Sequence, residues 1–244
     1  MFLKLISIPI SLIASFLFLF YLCVFHVIQV VALRVFGYEA HKKSVDVLNF
    51  FLLSVVYVLF GSAKVTFKAP LPEGKPLILV ANHQGTFDIM TMGWFLRKYH
   101  PKYVAKIELA KNIPSVSFNL KYGGSVLIDR KDPRQALPLM KQMGEYIQAT
   151  GRSAIIYPEG TRSRDGRPGP FANNGVKILC KYAPDAYVVP ITINNSWKIF
   201  KYGGFPLGLG NRIILTVHEP MAVKDYAFND LFEKTEATIV NAIV

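Results

Sequence analysis

Residues 3 to 36 are almost continuously apolar, and this run limits what the chain can become. About 20 apolar residues suffice to span a bilayer core, so the run is long enough to cross a membrane or lie within one. It exceeds the core of a secretory leader and no small-residue cleavage site follows it, so a retained anchor is expected. Ser11, Ser15, His26 and Gln29 fall near one face at helical spacing, a stripe suited to packing on another helix. A second apolar segment, Val45 to Phe60, is short for a span and carries Asp46, Asn49, Ser54 and Tyr57 on one side, which reads as an interfacial or re-entrant helix. The connector from Arg34 to Ser44 brings Arg34, Lys42 and Lys43 against Glu39. Two full spans would put those cations outside, against the positive-inside tendency. The expectation is therefore a membrane-associated helical hairpin over 1–61, embedded in one leaflet with its basic segments on the cytoplasmic side. Two core helices of a soluble protein are the alternative, which the length of the first run disfavours.

Beyond Gly61 the pattern changes. Short apolar runs at 65–67, 76–81, 103–106, 126–128, 154–157, 187–193 and 212–217 read as strands. Most are separated by stretches that read as helices, at 87–98, 115–121, 133–149 and 174–182, with a last helix at 225–243. Strands alternating with helices predict an α/β domain over 62–244: a mixed, mainly parallel sheet flanked by helices. The chain carries a net charge of +12, and from Gly61 onward 24 Lys and Arg stand against 14 Asp and Glu. Such a surface suits anionic partners: an anionic membrane lipid, or a phosphorylated or acidic substrate. Nucleic acid is disfavoured, because the cations are dispersed over loops and strand ends and the chain opens with an anchor. Two distant cysteines and five scattered histidines offer no disulfide framework and no metal-ligand spacing. Neither GxxxxGK nor GxGxxG is present.

The stretch Asn82-His83-Gln84-Gly85-Thr86-Phe87-Asp88 joins the strand at 76–81 to the helix at 87–98. On one helix, His83 and Asp88 would lie roughly 140° apart at about 100° per residue. They can meet only if the chain turns between them, and Gly85 and Thr86 supply a turn and a cap. A carboxylate bonded to one imidazole nitrogen fixes the tautomer and leaves the other nitrogen to take a proton. An ordinary helix-capping Asp beside a strand-end His is the plainer alternative. A second constellation, Tyr157-Pro158-Glu159-Gly160-Thr161-Arg162-Ser163-Arg164, follows another strand. Its Pro-Glu-Gly turn brings bare backbone close to a ligand, and Arg162 offers a fork of donors suited to a phosphate monoester. In parallel sheets, functional groups gather past the carboxyl ends of strands, and His83, Lys106, Arg130 and Glu159 all fall there.

Taken together, these stretches resemble the glycerolipid acyltransferases, and within them the 1-acylglycerol-3-phosphate (lysophosphatidate) acyltransferases. The resemblance rests on NHxxxxD at His83 and Asp88, on KxEL at Lys106 through IDR at Arg130, on PEGTRS from Pro158 to Ser163, and on Val189-Pro190-Ile191. It extends over about 63–220, with Tyr157 where such sequences usually carry Phe. It implies direct acyl transfer from a thioester, acyl-CoA or acyl carrier protein, to the 2-hydroxyl of lysophosphatidate, giving phosphatidic acid. His83 would be the general base and Asp88 its orienter. Arg162 and Arg130 would clamp the phosphate, with Lys106 as a further cation or oxyanion donor. Glu159, Gly160 and Thr161 would complete the acceptor site, Glu159 and Gly160 positioning the glycerol. No cofactor or metal is implied, and no acyl-enzyme is needed, since the donor is already an activated thioester and the acceptor an alcohol held in place; no GxSxG elbow is present. The cytoplasmic face of a bacterial inner membrane is the implied location. Glycerol 3-phosphate or a lyso-ornithine lipid as acceptor, or a non-catalytic lipid-binding protein of the same fold, are the competing readings.

Overall fold

The computed structural model describes residues 2–129 and 131–244, the side chain of residue 2 excepted. Two helices open the chain, α1 (Phe2–Phe36) and α2 (Tyr38–Val58). The broad polar connector expected between them is a single residue, Gly37, at φ 81°. Glycine adopts that backbone without a Cβ clash, so the reversal needs no loop and the polar stretch Tyr38–Ser44 becomes the first turns of α2. At 1.5 Å per residue, the 35 residues of α1 run about 50 Å, longer than a bilayer core.

The two helices of this hairpin bury different amounts of themselves. One flank of α1 packs inward through Ser11, Ala14, Leu22, Phe25 and Gln29, while Leu12, Phe16, Val27, Val35 and Phe36 point out. Of the expected polar stripe, Ser11 and Gln29 are buried, His26 is half-buried and Ser15 is exposed. An exposed apolar face running the length of α1 is a surface for lipid rather than water, and it associates the chain with a membrane. In contrast, α2 buries Leu48, Leu52, Leu53, Val55 and Val56 in the same core as the sheet. The boundary expected at 61 thus coincides with the passage from helix to strand, while the packing runs across it.

The rest of the chain alternates as the hydrophobic spacing predicts. The elements are β1 (Ser62–Phe67), β2 (Leu77–Ala81), α3 (Phe87–Phe95), β3 (Pro101–Lys106), α4 (Val116–Tyr122), β4 (Val126–Ile128), α5 (Pro133–Thr150), β5 (Ser153–Ile156), α6 (Asn174–Tyr182), β6 (Tyr187–Asn194), β7 (Arg212–Val217), β8 (Met221–Ala222) and α7 (Phe228–Val240). The boundaries of α5 are set by local chemistry. Asp132 accepts hydrogen bonds from the N–H groups of Arg134 and Gln135, Pro133 occupies the first turn, and Gly151 ends the helix at φ 65°.

Among the described residues the strands form one sheet in the order β1-β7-β6-β2-β5-β3-β4, with β8 pairing β6. Only the β6–β7 and β6–β8 pairings are antiparallel. Residues of β2 alternate between the two faces: Leu77, Leu79 and Ala81 join the core under α1–α3, and Ile78 and Val80 join the core under α5–α7. Because β2, β5, β3 and β4 run parallel and adjacent, their carboxyl ends open on one edge.

Candidate active site

Register puts His83 and Glu159 level with each other. Val80 pairs with Ile156, and each residue lies three beyond its partner. The buried side chain of Asn82 holds the end of β2 against β6, giving a hydrogen bond to the carbonyl of Ile193 at 2.8 Å and taking one from its N–H at 2.7 Å. The chain then turns through Gly85, where a Cβ would come within 2.8 Å of Ser196 Oγ, and enters α3. That turn returns Asp88 to the imidazole.

His83 Nδ1 lies 2.8 Å from Asp88 Oδ2. The same oxygen accepts the N–H groups of Gln84 at 2.6 Å and Gly85 at 2.8 Å. An oxygen receiving two backbone donors is an acceptor, so Nδ1 carries the proton and Nε2 is left as the base. The Asp88 side chain is fully enclosed and that of His83 is 14% exposed, so the carboxylate is fixed while the imidazole keeps a path to a substrate. Tyr157 stacks on the His83 ring, centroids 4.2 Å apart at 21°, and its hydroxyl turns away to Met92 Sδ at 3.3 Å. The ring therefore steers the imidazole, a role the sequence signalled only as an aromatic at the end of a strand.

Glu159 differs from expectation. One carboxylate oxygen accepts the His83 N–H at 2.6 Å and the other the Gly169 N–H at 2.7 Å. With each oxygen accepting a main-chain N–H, Glu159 fastens the two loops together, a role beyond the one expected of it. Burial pushes its carboxyl above the ordinary range, while the Gly169 and His83 N–H groups and the His83 imidazole pull the other way. The Ser163 N–H donates to the His83 carbonyl at 2.8 Å, a second tie between the loops. Gln84 adds a third: its amide donates to the Gly166 carbonyl and accepts the Ser196 N–H, both at 3.1 Å.

Arg162 is exposed and donates from Nη1 to Thr86 Oγ1 at 2.8 Å, so its guanidinium sits over the turn between His83 and Asp88. Gly160 turns at φ 69°, its N–H donating to the Tyr157 carbonyl at 3.1 Å, and Thr161 is exposed beside it. Lys106 ends β3, two strands from β2 and so roughly 10 Å away at about 4.8 Å per strand. Its side chain is exposed on the rim and makes no hydrogen bond with a described residue. Arg130 lies outside the described residues. The structure thus joins His83, Asp88, Glu159, Gly160, Thr161 and Arg162 in one place. The assembly offers a tautomer-fixed base, an open Nε2 and a guanidinium beside it, which suits deprotonation of a hydroxyl on an anionic molecule.

Comparison with known proteins gives the family to which these loops belong. Residues 62–194 match the family model described as Acyltransferase. The chain is 32% identical over 146 residues to the chloroplastic 1-acyl-sn-glycerol-3-phosphate acyltransferase BAT2 of Brassica napus, which covers 60% of this chain and 41% of that one. It is 34% identical over 126 residues to a 1-acyl-sn-glycerol-3-phosphate acyltransferase of Helicobacter pylori, with 50% of each chain covered. It is 29% identical over 184 residues to the Bacillus subtilis protein of the same name, covering 72% of this chain and 81% of that one. The matched stretch is thus half or less of the first two relatives and most of the third. The crystal structure of the 1-acyl-sn-glycerophosphate (LPA) acyltransferase PlsC from Thermotoga maritima superimposes with a TM-score of 0.76 at 22% identity, over 95% of this chain and 93% of that one, which shows a shared fold. With its matched domain spanning the His83–Asp88 and Glu159–Arg162 loops, the chain belongs to the acyltransferase family.

Proposed function

We propose that this protein transfers an acyl group from a thioester to the 2-hydroxyl of 1-acylglycerol 3-phosphate, giving phosphatidic acid. The observation that carries this reading is the His83–Asp88 pair with Arg162 anchored on Thr86, a contact across 76 residues that brings the base and a phosphate-binding guanidinium to one turn. His83 Nε2 takes the proton of the hydroxyl as its oxygen attacks the thioester carbonyl, and Asp88 stabilises the imidazolium. The tetrahedral intermediate then collapses, the thiolate leaves, and the imidazolium returns its proton to it. Arg162 pairs with the phosphate of the acceptor, with Lys106 and Arg130 as further cations at the same edge. Acyl-CoA or acyl carrier protein supplies the thioester, and neither metal nor cofactor takes part. The names of the relatives support lysophosphatidate as acceptor. The exposed face of α1 and the cations of Lys42 and Lys43 support a hairpin held in the cytoplasmic leaflet of a bacterial inner membrane, close to a substrate that is itself a lipid.

A transfer assay read by mass spectrometry tests this. Purified protein is offered lysophosphatidate or glycerol 3-phosphate, each with acyl-CoA and with acyl carrier protein thioester. Phosphatidic acid formed from lysophosphatidate is the expected product. Product from glycerol 3-phosphate alone would move the acceptor, and no product from any pair would end the reading.

A further inference from the structure

At the opposite end of the sheet, four residues before Lys106 on β3, Lys102 is 94% removed from solvent, with 6% exposed. Among the described residues its ammonium makes no hydrogen bond and has no carboxylate within ion-pair distance. Asp46 is held by Lys42, and Glu39 lies 3.6 Å from Arg152. The Lys102 ammonium sits 5.0 Å over the Tyr38 ring, and the Arg152 guanidinium is also 5.0 Å from that ring, so two cations share one aromatic. Burial first, then Arg152 and Lys42, push the lysine down to about 7. A cavity of about 30 Å³ lies beside it, lined by Lys102, His41, Lys42, Asn49, Asn119 and Ser125 together with the carboxylate of Asp46, which Lys42 already holds. That is room for roughly two water-sized atoms. His41 is 1% exposed, and its Nε2 has no hydrogen-bond partner among the described residues.

Asp46 and Glu39 are near enough to act on Lys102 but are engaged by Lys42 and Arg152, so three cations face two carboxylates here, and a buried ammonium beside an unpartnered imidazole nitrogen and two amide side chains is costly unless further negative charge is supplied. We propose that this cavity is an anion site that takes a phosphate group, two of its oxygens filling the space before Lys102 and His41. A phosphate is favoured over a lone monovalent ion because the donors are several and spread around the cavity. Its place in the fold also fits. His41 is four residues past Gly37, about 6 Å along α2 from the hairpin tip, where Val35 and Phe36 are 67% and 72% exposed. An apolar helix end beside a cationic hollow matches the boundary at which lipid phosphates lie. The group is therefore either the phosphate of a membrane lipid or free phosphate. The site is independent of the acyl-transfer reading, since it includes no member of the His83–Asp88 and Arg162 cluster.

Crystals soaked in selenate, a tetrahedral oxyanion with an anomalous signal, should show a peak at hydrogen-bond distance, about 3 Å, from Lys102 Nζ. In solution, saturating inorganic phosphate should raise Tm by about 3 °C over sodium chloride of equal ionic strength. Lys102→Met should abolish that rise, and Arg162→Ala should retain it. A parallel measurement in nanodiscs compares phosphatidate mixed into phosphatidylcholine with phosphatidylcholine alone. A Lys102-dependent rise with free phosphate identifies a soluble anion, and one seen only with phosphatidate identifies a lipid headgroup. An empty cavity in selenate-soaked wild-type crystals overturns the proposal, as does a rise that Lys102→Met leaves intact or the absence of a rise in both arms.

Discussion

Lys106 and Lys102 occupy opposite ends of one six-residue strand and meet opposite environments. Lys106 emerges past the carboxyl end of β3, exposed, on the rim that also holds His83, Glu159 and Arg162. Lys102 points into the amino end, buried, among other cations and without a carboxylate of its own. At the carboxyl end the oxygens that hold the base are paired: Asp88 Oδ2 takes three donors and each Glu159 oxygen takes one, while the buried Asp88 Oδ1 and Ser196 Oγ have no partner among the described residues. The amino end leaves donors over. An imidazole held by a carboxylate oxygen that itself takes two backbone donors is fixed before substrate arrives, which suits catalysis by a preorganised base. An end with surplus donors is built for something not part of the chain.

The sharpest way to break the comparison is at His83. His83→Ala should cut transfer by about three orders of magnitude while the protein still folds and binds membrane, since the base is lost and only positioning remains. Activity near wild type would remove the imidazole from the mechanism. Glu159→Gln is the next largest. An amide can accept the His83 N–H but presents its own N–H₂ to that of Gly169, so one charge-assisted bond is replaced by a donor–donor contact. At about 1.5–3 kcal/mol, kcat should fall roughly 10- to 100-fold with a small change in KM. A rise in acceptor KM alone would make Glu159 a ligand after all. Arg162→Ala should raise the acceptor KM about tenfold with kcat little changed, and steady-state kinetics on lysophosphatidate would read it. An unmoved KM would place the phosphate elsewhere.

An effect on stability and not on turnover belongs to the other end of β3. Lys102 sits at about 7 in the folded chain against an ordinary 10.5. Between these values the unfolded chain binds the proton and the folded one does not, so stability rises with pH across that window and the charged form is a burden below it. Lys102→Met should flatten this rise in denaturation curves taken from pH 7 to 10. A bound phosphate, by holding the lysine protonated, should flatten it in the wild type. An unchanged slope in Lys102→Met would mean that the ammonium is not desolvated as its burial implies.

Much of the architecture is written locally. The period-2 alternation of Leu77 to Ala81 sends successive side chains to opposite cores, and Asp132-Pro133 with Gly151 delimits α5 in the way those residues do in any helix. The meeting of His83 and Asp88 was legible too, because only a turn intervenes and Gly85 and Thr86 make one. The hairpin was read less well. The apolar length marks α1 as an anchor, but does not say that one flank of it joins the core of the sheet or that α2 enters that core. Nor does a sequence show that Tyr38–Ser44 is helical when one glycine suffices for the reversal.

By itself, then, the sequence determined the strand–helix alternation, the imidazole–carboxylate pair and the cations at strand ends, since each depends on neighbours a few residues away. Tertiary structure alone decided that Glu159 is spent on the His83 and Gly169 backbones, that Tyr157 stacks on the imidazole, and that Lys102 is buried beside Arg152 and His41. Those contacts join segments tens of residues apart. They exist only because β2, β5 and β3 lie side by side, and that order is set by how the two cores pack and not by any local preference of the chain.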